Sequence, residues 1–180
     1  MRPCGRETLA LLVSLAGCHT LRQADPGELV VTQASVSDSV RGRVSVVGSE
    51  PMVGVLLSPT GGGATLALSG APSVLLRGLG GLDVVVRGRL TGERSGTATP
   101  RMAPEFSVDE FEVRAADGVS ATDGVVAVAD GSFFLVTADG RRLAARYLPQ
   151  ALRQKVGARV FVAGALDGEA ASYGVIRERP

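Results

Sequence analysis

Few side chains in this 180-residue chain are equipped for nucleophilic or metal chemistry. There is one histidine, His19, and there are two cysteines, Cys4 and Cys18. A Ser–His relay needs an imidazole held in a pocket by a third group, and nothing around His19 frames it. A zinc site needs three or four convergent ligands, which no Cys/His spacing supplies. Carboxylates remain. Glu105, Asp109, Glu110 and Glu112 form the densest acidic group, and on a strand Glu110 and Glu112 share a face that could offer oxygen to a hard cation. The interleaved Phe106 and Phe111 point instead to a solvated outer face over an apolar inner one. Five Asp-Gly pairs, starting at Asp117, Asp123, Asp130, Asp139 and Asp167, are scattered and read as turns, not as a calcium loop. The run Thr60-Gly61-Gly62-Gly63-Ala64-Thr65 lacks the Gly-Lys-Ser/Thr ending of a phosphate loop and joins two strand-like runs. The expectation is no catalytic residue, no metal site and no cofactor.

One patch carries recognition chemistry. Phe133, Phe134 and Tyr147 lie among Arg141, Arg142, Arg146, Arg153 and Lys155. Aromatic faces beside basic groups bind extended polar ligands by stacking and charge. Strand alternation exposes one of the adjacent phenylalanines unless another surface covers it. The expected ligand-binding residues are therefore Phe133, Phe134, Arg141, Arg142, Arg146 and Tyr147, facing a glycan or a small anionic ligand. With 19 Lys+Arg against 18 Asp+Glu, the chain has no global charge for nucleic acid, which is not an expected partner.

The elements that would hold this patch follow an N-terminus built for export. Arg2 and Arg6 precede the apolar run Leu9-Ala10-Leu11-Leu12-Val13-Ser14-Leu15, and small residues lead to Cys18. A basic end, a short apolar helix and small residues are the layout of a secretory signal, and the apolar run is far short of the roughly 20 residues of a permanent span. Leu15-Ala16-Gly17-Cys18 resembles the lipobox of bacterial lipoproteins at all four positions. The resemblance implies a signal peptide at 1–17, removed before Cys18 once that thiol carries a lipid, and a membrane partnership through acylated Cys18. Several acyl chains anchor firmly where one binds only marginally. By the same resemblance, His19 rather than Asp after the cysteine favours the outer membrane or cell surface. Residues 18–26 then form a tether reaching about 30 Å at full extension.

The remainder reads as two copies of one β-rich unit. A 45% hydrophobic content and mean hydropathy of +0.23 argue against disorder. Gly42-Arg43-Val44-Ser45-Val46-Val47 matches Gly124-Val125-Val126-Ala127-Val128-Ala129, 82 positions on, and Asp83–Gly92 matches Arg159–Gly168, 76 positions on. The difference is assigned mainly to the Thr60–Gly63 loop. Pro72 and Pro149 are each set at the first position of a short helix. Each copy reads strand, strand, strand, helix, strand, strand, with strands near 40–47, 52–58, 64–69, 82–91 and 106–114, then 123–129, 132–137, 141–146, 158–166 and 171–177. Five strands with one helix between the third and fourth resemble the OB-fold, a partly open Greek-key barrel. The expected fold is all-β, as two tandem five-stranded OB-like barrels over 27–118 and 119–180; the alternative is a single β-sandwich. Glu28-Leu29-Val30-Val31-Thr32 is expected to add a strand at a sheet edge.

These readings together predict a non-catalytic, membrane-anchored envelope lipoprotein that binds or assembles with an envelope protein or glycan. The rival expectation is a glycan or small-anion binder using the second unit.

Overall fold

The structure is a computed structural model that describes residues 38–91 and 103–179. The signal segment, Cys18, the tether and the expected strand at 28–32 lie outside the described residues. Valine- and leucine-rich runs broken by glycine make ten strands. They are β1 (Asp38–Val47), β2 (Gly54–Pro59), β3 (Leu66–Ser69), β4 (Asp83–Leu90), β5 (Glu105–Ala116), β6 (Val119–Ala129), β7 (Ser132–Val136), β8 (Arg142–Ala144), β9 (Arg159–Ala163) and β10 (Ser172–Arg177). Two helical turns interrupt them, α1 (Ser73–Leu76), extended by a 3-10 turn at Arg77–Leu79, and α2 (Gln150–Arg153). The fold is all-β apart from these turns, and no described helix is long and apolar enough to cross a membrane.

In the first half β1 pairs with β2 and β4, β2 with β3, β4 with β5, and β3 with β5. These pairings close a ring in the order β1-β2-β3-β5-β4. All are antiparallel except β3–β5, which is parallel. The second half repeats the pattern with one omission. β6 pairs with β7 and β9, β7 with β8, and β9 with β10. Among the described residues no strand joins β8 to β10. The chain runs from one half to the other through the β5–β6 turn, where Asp117 and Gly118 take φ values of 49° and 80°.

The two halves agree residue by residue. Gly42 on β1 stands opposite Val84 on β4, and Gly124 on β6 stands opposite Val160 on β9. The Val44 N–H donates to the Leu82 carbonyl at 2.9 Å, and the Val126 N–H donates to the Ala158 carbonyl at 3.0 Å. Val44 in turn accepts from the Gly81 N–H, and Val126 from the Gly157 N–H, at 2.9 and 2.8 Å. Both glycines sit at φ near +88°, a left-handed conformation that costs glycine little. Both offsets seen in the sequence, 82 and 76, thus meet in one hydrogen-bonded corner.

Two details depart from the sequence reading. The extra residues of the first half lie chiefly between β1 and β2, not in the glycine run. Six residues, 48–53, connect those strands, whereas Asp130-Gly131 alone turns β6 into β7. The Asp-Gly pair takes positive φ at both positions, as a two-residue hairpin turn demands. Pro72 and Pro149 are N-caps, one residue before the first helical position. Their carbonyls accept from the N–H groups of Leu75 and Leu152 at 3.1 and 2.9 Å, and a cap needs no N–H of its own.

Two clusters form the core. The first gathers Val44, Leu57, Leu76, Val84, Val86, Phe106 and Val113 inside the ring, and the second Val126, Leu135, Leu148, Leu152, Val160 and Val162. Phe161, Ala163 and Ile176 of the second half belong to the first cluster. Successive residues on β9 thus face opposite ways: Val160 and Val162 serve their own half, while Phe161 and Ala163 serve the other. β5 shows how one strand keeps contact with its core over twelve residues. Phe106 and Val108 are buried, then Phe111 and Val113. The change of parity is accommodated where β4 passes from Arg87, opposite Glu110, to Gly88, opposite Val108, leaving Asp109 as a bulge.

Candidate functional site

The absent β8–β10 pair shapes the first candidate region. In the first half β5 starts early enough for Ala67, Leu68 and Ser69 to pair with Glu105, Phe106 and Ser107. The β9–β10 connection spans only 164–171, and β10 starts late. Between the end of β8 and the start of β10 lies an open groove of about 450 Å³, lined by Tyr147, Pro149, Glu169, Ala170 and Tyr173. The chain has two tyrosines, and both stand here, 60% and 46% exposed. Rings left this open beside proline offer apolar faces with a polar tip, a surface suited to binding.

A second region is a polar cleft of about 480 Å³ between β4–β5 and the β7–β8 turn. Arg87 and Glu110 form an ion pair across β4 and β5, and Arg114 bonds Glu112 at 2.9 Å. Glu110, through its hydrogen bond and its charge, holds Arg87 more firmly protonated than a free guanidinium. At the turn Thr137 Oγ1 donates to Asp139 Oδ1, and the Arg141 N–H donates to the same oxygen at 3.3 Å. These two donors lower the Asp139 pKa, the hydroxyl contributing most. The Arg141 side chain lines the cleft and has no ion-pair partner among the described residues.

At the base of this cleft sits Asp123, 4% exposed and the one buried charged residue among those described. Arg159 grips it with two bonds, Nε to Oδ1 at 2.8 Å and Nη2 to Oδ2 at 2.7 Å. The Val113 N–H donates to Oδ2 at 2.9 Å. Arg159 Nη2 also reaches the Phe111 carbonyl at 2.5 Å, and its guanidinium lies 4.5 Å from the centre of the Phe111 ring. The cluster ties β6 and β9 to β5, so its evident work is to dock the second half onto the first. The Asp-Gly pattern predicts a turn at Asp123-Gly124. The structure places the pair inside β6, because Gly124 sits against the β7 backbone and Asp123 has found a buried partner. Its position in a valine-rich run was the available signal.

The six residues expected to bind ligand are spread over three places. Arg141 lines the polar cleft and Tyr147 the tyrosine groove. Phe133 packs on the second core, with the Arg153 guanidinium 5.6 Å from its ring centre. Phe134 is half-buried on the other face of β7, opposite Ala127 and Ala144. Arg142 and Arg146 are exposed along and just after β8, and the Arg146 carbonyl accepts from Arg153 Nη2 at 3.4 Å. Tyr173, which is not among the six, joins Tyr147 in lining the groove. Among the acidic residues, Glu110 and Glu112 are engaged by arginines, and Phe106 and Phe111 are buried beneath them. No group of three His, Cys, Asp or Glu able to hold a metal ion occurs among the described residues.

No protein-family profile matches the chain, and no curated protein or solved structure matches it either.

Proposed function

We propose that the protein is a non-catalytic lipoprotein of the bacterial envelope, anchored through lipidated Cys18, whose two OB-like modules bind or assemble with another envelope component. The lipobox residues Leu15-Ala16-Gly17-Cys18 support the anchor. Supporting the modules are the strand order β1-β2-β3-β5-β4 with α1 between β3 and β4 and its repetition in the second half. The observation that carries the binding role is the open groove beside β8, with both tyrosines half-exposed in it.

Cys18→Ser tests the anchor. The wild type is expected in detergent-requiring membrane fractions and the variant in the soluble pool, and an unchanged distribution rejects the anchor. In-cell crosslinking with mass spectrometry tests the partner, with Cys18→Ser as control. A reproducible envelope protein lost in the control supports assembly.

A second reading rests on Arg141 in the polar cleft. There the protein takes a glycan or small anionic ligand, and Arg141→Ala abolishes binding of anionic oligosaccharides without changing the fold.

A further inference from the structure

The first half of the chain shows what belongs in the seam that the second half leaves open. On β3, the Ala67 N–H donates to the Pro104 carbonyl at 2.8 Å, and Leu68 runs in parallel register with Phe106. The Phe106 ring is 1% exposed inside the ring of strands. The matching positions on β8 follow from register. Leu57 pairs with Leu66 and Leu56 with Ala67, while Leu135 pairs with Leu143 and Phe134 with Ala144. Ala144 thus stands where Ala67 stands. The neighbouring Ala145 N–H bonds β7 through the Phe133 carbonyl at 2.9 Å, so antiparallel alternation turns the Ala144 N–H away from β7 and toward the seam. Among the described residues no strand meets that edge of β8 or the facing edge of β10. Unpaired edges with a tyrosine-lined groove beside them are a template for strand addition.

Charge narrows the occupant. Glu105 lies opposite Ala67 in the first half. Around the equivalent Ala144 stand Arg142 and Arg146, both exposed, while the groove's own lining carries a single acid, Glu169. We propose that the β8–β10 seam receives an extended peptide strand from an envelope protein, parallel to β8, with an acidic residue opposite Ala144 and an apolar side chain beside it that packs over Leu166 and Ala170, which already cover the second core there. This deepens the binding role proposed above by naming the ligand's chemistry and its place.

The test uses the full-length protein in detergent and a synthetic peptide copying residues 103–110, Ala-Pro-Glu-Phe-Ser-Val-Asp-Glu, the segment that fills the seam of the first half. Saturable binding is expected, with slowed amide exchange at Ala144. Ala144→Pro deletes the free-edge donor and no bond to β7, so it is expected to keep the thermal transition and weaken binding about tenfold, the worth of one backbone hydrogen bond. Tyr173→Ala and Arg146→Glu probe the groove and the charge should the proline variant misfold, and each is expected to weaken binding. A peptide with Asp in place of Phe is expected not to bind. Absence of saturable binding, or binding indifferent to Tyr173→Ala and Arg146→Glu, overturns the proposal. So does tyrosine-dependent binding of a neutral oligosaccharide in place of the peptide. Peptide binding by a protein that fractionates as soluble would retain the seam and remove the anchor. A crosslinked partner mapping away from the seam, with no peptide binding, would do the reverse.

Discussion

Asp123 and Arg159 face each other across β6 and β9 as a two-pronged ion pair, and both also bond the backbone of β5. Both oxygens of the carboxylate are engaged, so its desolvation is matched by three hydrogen bonds, two from Arg159 and one from the Val113 N–H. Removing one member of such a pair leaves a buried charge without its counterpart, which is more damaging than removing both.

Asp123→Ala is therefore expected to lower the unfolding free energy by about 3 kcal/mol. Asp123→Ala combined with Arg159→Met is expected to recover part of that loss, since no stranded guanidinium remains. Urea denaturation of the three proteins measures both; a double variant less stable than the single one would contradict the docking role.

Gly42 and Gly124 occupy matching sites with unequal room. A Cβ on Gly42 would stand 2.4 Å from the Ser58 carbonyl oxygen, whereas one on Gly124 would stand 3.0 Å from that of Val136. Backbone cannot step aside as a side chain can. Gly42→Ala is expected to cost about 3 kcal/mol and Gly124→Ala about 1, in the range of overpacked cores. Thermal melts should rank them in that order.

The second half expressed alone, residues 119–180, would bare Phe161, Ala163 and Ile176 and lose the Val113 and Phe111 contacts to its ion pair. It is expected to lack a cooperative unfolding transition and to bind a hydrophobic dye. A sharp calorimetric transition in the fragment would show that the halves fold independently.

Asp139 supplies a pH test. Its pKa in the folded chain is lowered, first by Thr137 Oγ1 and then by the Arg141 N–H. A depressed carboxyl stabilises the fold above its unfolded pKa, and that contribution fades as pH falls through the folded value. Because the group is exposed, the effect on global stability is small and the turn itself is the place to look. Thr137→Val is expected to move the Asp139 carboxyl resonance titration back toward the ordinary aspartate range. An unmoved titration would mean that the hydroxyl does not govern it.

Much of this architecture could be read from residue spacing. The succession of strands along the chain, both helical turns and the 82- and 76-residue offsets are visible because valine alternation and glycine punctuation act locally. The Phe-Ser-Val-Asp-Glu-Phe-Glu-Val run carries the β5 bulge in its broken alternation. Long-range facts were not legible. That Asp123 faces inward depends on Arg159, 36 residues away, and on a β5 amide that no local pattern announces. The pairing of Tyr147 with Tyr173 depends on how late β10 begins. The expected arginine and aromatic patch scattered because β7 and β8 present alternate residues to opposite faces, and a patch counted along the chain ignores that geometry.

Among the described residues β8 keeps one side unpaired, and bare sides invite copies of the same protein to stack. Arg142 and Arg146 answer that hazard. Two such edges brought together would press like charges against each other, which disfavours pairing of this edge with its own copy. The first half, whose strands close into a ring through the β3–β5 pair, has no such edge among the described residues and needs no such guard.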